Sequence, residues 1–293
     1  MMPTPAPFIV GVGRSGTTLL RLMLDSHPDL AIPGETHFLI RLLDLDEGSL
    51  ACEQFLRTVI ETPAWRNLAV TETAFAAALA EVVPFSLRGG IRAFYRLYAR
   101  RFGKDRWGDK TPPYRSCMNG IQRLLPEAHF LHVIRDGRDV ALSYRGLWFG
   151  PGDDVEAQAR FWVDQLRSAR TQSTKLRRYA EVRYEALVTA PESTLRKICD
   201  YLELRFHPQM LDYHRFASTR LAELKGPAGP PTQCAAQIAR FIAIHARTAQ
   251  VPDPGRIGRW RREMSAEDRA RYETIAGPLL RELGYEVSGL SGP

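Results

Sequence analysis

Apolar residues along this chain fall into two kinds of run. Short unbroken runs, FIVGV at 8–12 and HFLHVI at 129–134, have the length and closeness of strands buried on both faces. Longer stretches space their apolar residues at helical intervals. Residues 17–25 carry Leu19, Leu20, Leu22, Met23 and Leu24 and predict a helix buried on most sides. Phe75, Leu79, Val82 and Val83, then Ile91, Phe94, Tyr95 and Tyr98, make 36–104 a largely helical block, punctuated by Pro84 and Gly89-Gly90. Further helices are expected at 136–147, 155–179, 192–202 and 266–283, the last stopped by Gly284, and further strands at 106–108 and 181–184. GPAGPP at 226–231 cannot hold regular structure and predicts a mobile surface loop. Short buried strands alternating with helices give an α/β fold: one domain, 1–293, with a parallel sheet covered by helices on both faces and a helical insertion at 36–104.

Residues 11–18 read Gly-Val-Gly-Arg-Ser-Gly-Thr-Thr, between a strand and a helix. Gly11, Gly13 and Gly16 let backbone N–H groups turn inward on an oxyanion, and the following helix adds the positive end of its dipole. Arg14 supplies a full charge; Ser15, Thr17 and Thr18 supply hydroxyl donors. Two phosphate motifs fit in part. Against G-x-x-x-x-G-K-[ST], Gly11, Gly16 and Thr18 match, but Thr17 stands in place of the lysine that grips a nucleoside triphosphate. That argues against an ordinary kinase or ATPase. Against G-x-G-x-x-G the three glycines match and Glu35 lies near the acidic position, yet Pro28 and Pro33 leave hardly any second strand.

A second constellation is HFLHVIRDGRDVALSY at 129–144. Arg135 ends the strand, Asp136 suits an N-cap, and Ser143 lies about two turns into the helix, on nearly the face of Asp136 at ~100° per residue. Arg135 and Ser143 can then hold one phosphate between them. The competing reading is a surface ion-pair cluster of Arg135, Asp136, Arg138 and Asp139. His129 and His132 alternate along the strand and are expected in the core. With parallel strands, both junctions open on one edge of the sheet, where such folds bind ligands. Two phosphate sites on one edge suit a nucleotide phosphorylated at its 5′ and 3′ positions.

Composition narrows the picture. With 44% apolar and 25% charged residues the chain is an ordinary globular one. No run approaches the ~20 apolar residues of a membrane span. Lys plus Arg, 40 against 33 acidic residues, gives +7, which suits an anionic ligand. The basic residues are scattered among acidic ones without a reader motif, so a basic nucleic-acid-binding protein is the weaker alternative. The start, MMPTPAPFIVGVG, lacks a basic leader region. Cys52, Cys117, Cys199 and Cys234 lie far apart with no C-x-x-C pair. They read as a reduced, cytoplasmic set and as no metal site.

The two constellations together resemble the sulfotransferases that use 3′-phosphoadenosine 5′-phosphosulfate (PAPS). Gly13-Arg14-Ser15-Gly16-Thr17-Thr18-Leu19 looks like that family's 5′-phosphosulfate loop, and 133–139 through Ser143 like its 3′-phosphate motif. The stretch 14–35, RSGTTLLRLMLDSHPDLAIPGE, is especially similar to the tyrosyl-protein sulfotransferase branch and its bacterial relatives. Val182-Arg183-Tyr184-Glu185 looks like the segment whose tyrosine reaches the adenine side. Gly255-Arg256-Ile257-Gly258-Arg259-Trp260 resembles the segment that closes over the nucleotide, with Arg259 favoured as its phosphate-facing cation.

The resemblance implies a P-loop-type fold, PAPS as co-substrate, no metal, and in-line transfer of a sulfuryl group to a hydroxyl, or less readily an amine. Glu35 would be the base. His37, where that branch usually has an arginine, is a rival base and puts peptide-tyrosine specificity in doubt. Lys110, in Asp109-Lys110-Thr111-Pro112, would stabilise the leaving oxygen together with Arg14. The acceptor is a small-molecule, glycan or peptide hydroxyl, shaped by 36–104 and by the loop around 213–254; a homodimer is compatible with this reading. A kinase-like P-loop enzyme is the alternative.

Overall fold

Residues 6–11, APFIVG, carry no polar side chain, and all six are buried. In the computed structural model, which describes residues 4–43, 45, 51–224 and 235–287, they form β1 (Ala6–Gly11). The next elements are α1 (Thr17–Asp25), β2 (Leu30–Ala31) and four helices, α2 (Phe38–Leu42), α3 (Cys52–Ile60), α4 (Glu72–Ala80) and α5 (Leu87–Arg100). Then come β3 (Arg106–Trp107), β4 (Asp109–Lys110), α6 (Met118–Leu124), β5 (Ala128–Ile134), α7 (Gly137–Tyr144), α8 (Val155–Ser173) and β6 (Tyr179–Arg183). The chain continues through α9 (Tyr184–Thr189), α10 (Pro191–Tyr201), α11 (His214–Leu221), α12 (Ala235–Ala246), α13 (Trp260–Glu263) and α14 (Ala266–Glu282).

The main sheet has the order β4-β1-β5-β6, and every neighbouring pair is parallel. Because strand residues alternate between faces, Phe8, Val10 and Phe130 join one core while Ile9, Leu131, Val133 and Val182 join another. The first core is completed by α2–α6. The second is completed by α1 and α9–α11. A third, around Val12, Ile134 and Trp162, is closed by α7, α8 and α14. Helices therefore cover both faces, and the helical block at 36–104 lies on one of them. The sheet and its flanking helices are α/β, as expected. No helix among the described residues is long and apolar enough to cross a membrane.

Several boundaries differ from the sequence reading for local reasons. The long helix stops at Ser173, because Tyr179 is drawn onto the free edge of β5, where it pairs with Phe130. The helix after Arg135 ends at Tyr144 as Arg145 leaves helical backbone and Gly146 takes a φ of 66°. The strand expected at 106–108 is only Arg106–Trp107, β3 beside β2, and a separate strand that the sequence reading did not include, β4 at Asp109–Lys110, pairs with β1. The proposed loop at 226–231 lies outside the described residues. The aromatics of the block, Phe38, Phe94, Tyr95 and Tyr98, are fully buried and fill the core.

Capping follows the sequence. Asp154 begins α8, and its Oδ1 accepts the Ala157 N–H at 2.7 Å. Asp154→Ala should lower the unfolding free energy by about 1 kcal/mol, read as an earlier urea midpoint at unchanged slope. A midpoint that does not move would show that the cap contributes nothing.

Candidate active site

Each strand of the main sheet delivers one chemically distinctive residue at its C-terminal end. β1 runs into the loop carrying Arg14, β4 ends on Lys110, β5 is followed by Arg135 and β6 by Tyr184. All four sit on one edge because the strands are parallel, and their order across that edge is Lys110, Arg14, Arg135, Tyr184.

The loop after β1 is built to leave donors open. Arg14 and Gly16 both take positive φ, 69° and 98°. A Cβ on Gly16 would collide with the Tyr184 ring, and one on Gly13 with the Tyr144 hydroxyl. Gly16 is also the N-cap of α1, so no N-cap side chain occupies the first N–H groups, and no acidic residue lies in the first turn. Ser15 is buried, and among the described residues its Oγ has no hydrogen-bond partner, nor has the buried Nε of Arg14.

Arg135 completes this wall. Its Nη1 donates to the Arg14 carbonyl at 3.3 Å and its Nη2 to the Arg256 carbonyl at 2.8 Å, while its guanidinium lies 4.3 Å from the centre of the Tyr184 ring. Its Nε is likewise buried without a partner among the described residues. Arg14, Gly16, Thr17, Thr18, Arg135, Ser143 and Tyr184 line one cavity of about 390 Å³. Arg247 and Arg256 line it as well. Burial pulls Arg14 down to about 10, with Tyr144 acting the other way and the like charges of Arg135, Arg256 and Arg247 adding to the fall. Four guanidinium groups around one cavity repel one another, and a multivalent anion relieves that repulsion.

Beside this cavity, sharing Thr18 and His245 with it, is a small chamber of about 30 Å³ lined by Arg21, Gly34, Glu35, Asn67, Lys110, Leu221, Leu224 and Phe241. Glu35 holds the Lys110 Nζ at 2.9 Å with Oε1 and the His37 Nε2 at 2.9 Å with Oε2. Lys110 is 5% exposed and Glu35 34%. Burial works to raise the Glu35 carboxyl. The Lys110 ammonium and the two hydrogen bonds outweigh it and hold the group well below the ordinary carboxylate range.

The neighbours of this pair fix it in place. Thr36 donates to Asp109 Oδ2 at 2.8 Å and shares a 2.8 Å hydrogen bond with the Tyr114 hydroxyl. Its N–H bonds Thr111 Oγ1, and Tyr95 donates to the same Asp109 oxygen. Burial raises Asp109 to about 6 against these hydroxyl donors. The residues adjoining Glu35 and Lys110 thus share one buried network.

The RDGRD cluster is buried, not a surface feature. Arg135 faces the cavity, whereas Arg138 turns inward to Asp136, Glu273 and the Trp260 ring. Asp136 caps α7 by accepting the Arg138 N–H at 2.9 Å. Asp139 accepts the N–H groups of Gly258 and Trp260 at 2.8 and 3.0 Å. His132 is fully buried against Tyr179, and burial lowers it to about 4.

This corrects the reading of the C-terminal segment. Gly258, Arg259 and Trp260 are absent from the cavity wall: Trp260 is buried under Arg138, Arg259 is bound to Glu263, and Gly258 is bound to Asp139. They anchor the segment, and Arg256 is the cation it presents. Arg247, Tyr213 and His245, which no sequence motif marks, line the cavity as well. A signal existed for His245, a polar position four residues after Phe241 that interrupts the apolar second half of the helix AAQIARFIAIHA. Of the block at 36–104, Asn67 reaches the chamber beside Glu35 and Lys110.

Comparison with known proteins gives this arrangement a context. The sulfotransferase family model matches residues 5–208. Protein-tyrosine sulfotransferase 1 of Danio rerio is 27% identical, over 96% of this chain and 72% of its own length. Among solved structures, the sulfotransferase domain from the Synechococcus PCC 7002 olefin synthase is 23% identical with a TM-score of 0.56, covering 97% of this chain and 96% of that one. The sulfotransferase domain from the curacin biosynthetic pathway is 20% identical, also at 0.56, covering 98% and 100%.

Proposed function

This chain belongs to the sulfotransferase family, and on that premise we propose that it moves the sulfuryl group of PAPS to a hydroxyl, releasing adenosine 3′,5′-bisphosphate. The observation that supports the donor assignment is the 3.3 Å hydrogen bond from Arg135 to the Arg14 carbonyl, which joins the loop after β1 to the strand end after β5 on one cavity. The unpartnered buried atoms, Arg14 Nε, Ser15 Oγ and Arg135 Nε, fit a ligand rich in oxyanions.

In this reading Gly13, Arg14, Ser15, Gly16, Thr17 and Thr18 hold the 5′ end, Arg135 and Ser143 hold the 3′-phosphate, and Tyr184 covers the adenine side. When bound, PAPS supplies an activated sulfuryl group whose departure leaves negative charge on a phosphate oxygen. Arg14 and Lys110 stabilise that charge from fixed positions. Glu35 keeps Lys110 at the reacting end, and His37 braces Glu35 from the other side. The narrow chamber beside them admits the acceptor hydroxyl and limits water.

Arg256 is a supporting contact at the cavity rim. Arg256→Ala should weaken adenosine 3′,5′-bisphosphate about tenfold, and added salt should narrow the gap from wild type. Equal affinities at low salt would remove Arg256 from the site. The activity itself is tested by incubating small-molecule, glycan and peptide hydroxyl acceptors with sulfur-labelled PAPS and reading products by mass. Label on an acceptor oxygen is expected. Transfer from ATP with magnesium, and none from PAPS, would favour a kinase-like P-loop enzyme instead.

A further inference from the structure

His245 stands on the wall common to both chambers, with Arg14 and Thr18 lining the larger and Glu35 and Lys110 the smaller. Its Nδ1 lies 2.8 Å from the Phe241 carbonyl, one turn earlier in α12. A carbonyl only accepts, so Nδ1 carries the hydrogen and Nε2 carries the lone pair. Among the described residues, Nε2 has no hydrogen-bonding partner. Glu35 is in the opposite condition, one oxygen bound to Lys110 and the other to His37.

We infer that His245 is the proton acceptor of the transfer and that Glu35 is the fixed counter-charge of Lys110, an assignment that rests on the sulfuryl-transfer reading above. As the acceptor oxygen bonds to sulfur, the bond from sulfur to the bridging phosphate oxygen breaks and its electron pair stays on that oxygen. The hydroxyl proton passes to Nε2, and the imidazolium later returns it to solvent.

The electrostatics of the two chambers agree with this division. Burial holds His245 down to about 4; the Phe241 carbonyl opposes the fall, Lys110 and Arg14 add to it, and Glu35 opposes it. Arg21, Arg247 and Arg256 on the same walls act in the sense of Lys110, and Asp253 in the sense of Glu35. An anion in the cavity offsets the cations and raises the proton affinity of Nε2 toward the working pH, where a general base is most effective. Glu35, tied to Lys110 and His37, stays ionised.

Two measurements decide it. In nitrogen-detected NMR of the free protein, His245 should show the Nδ1–H tautomer, and saturating adenosine 3′,5′-bisphosphate should move its titration midpoint up by about one pH unit or more. An Nε2–H tautomer, or a midpoint that stays put when nucleotide is bound, overturns the assignment. His245→Asn should cut kcat about a hundredfold or more with the best acceptor of the panel and remove the acid limb of the pH–kcat profile, while nucleotide affinity stays within about threefold. If His245→Asn keeps its turnover and Glu35→Gln loses the acid limb, Glu35 is the base. A wild-type protein that binds no nucleotide contradicts the sulfuryl-transfer reading, whereas the NMR tautomer judges His245 by itself.

Discussion

Arg135→Ala should weaken binding of adenosine 3′,5′-bisphosphate about a hundredfold, roughly 3 kcal/mol, while the protein stays folded. Arg135 combines three roles at one point. It brings a buried charge to the cavity, props the Arg14 carbonyl, and holds the Arg256 carbonyl so that the C-terminal segment closes the wall. A truncated side chain loses the charge-assisted contact and loosens both neighbours. The fold should tolerate the loss. Asp139, its 3.8 Å partner, keeps the N–H bonds of Gly258 and Trp260, and one of four mutually repelling cations is gone. Calorimetric titration reads the affinity and thermal melting reads the fold. Unchanged affinity in a folded variant would detach the strand end after β5 from the nucleotide.

Glu35→Gln should lower kcat about 10²- to 10³-fold and leave nucleotide affinity within about twofold. Glutamine keeps the shape but not the charge, so Lys110, 5% exposed, loses the carboxylate 2.9 Å away that holds it at the reacting end. His37 loses its carboxylate partner in the same step. The effect belongs in kcat because Glu35 lines the small chamber and not the cavity wall shared by Arg135 and Tyr184. Single-turnover and binding measurements separate the two. A variant with full turnover would remove Glu35 from the chemistry.

Much of this site is legible in the chain because its signals are local. The glycines and hydroxyls of residues 11–18 mark the loop between β1 and α1, and the apolar run before Arg135 followed by Asp136 marks a strand end and a helix cap. The parallel pairing of β1 and β5, register for register from Ala6↔Ala128, then brings the two together. What stayed hidden depends on distant contacts. The network from Thr36 to Asp109 and Tyr114 spans separations of 73 and 78 residues, and it turns Glu35 and Lys110 into one unit. The same holds for Arg259 and Arg256. The segment was recognisable, but only the hydrogen bonds from Gly258 and Trp260 to Asp139 set which arginine turns to the cavity. For RDGRD the sequence leaves a surface ion-pair cluster open as an alternative, because charge density alone does not reveal that Trp260 and Glu273 cover Arg138.

In the proposed reading, the strand ends carrying Arg14 and Arg135 hold one doubly phosphorylated adenosine between them. Calorimetric titration with adenosine 3′,5′-bisphosphate in EDTA, set against ATP and adenosine 5′-monophosphate, tests it most directly. The expected result is one-to-one binding of the bisphosphate, at least about tenfold tighter than either competitor. Equal affinity for adenosine 5′-monophosphate, or a preference for ATP, would contradict it.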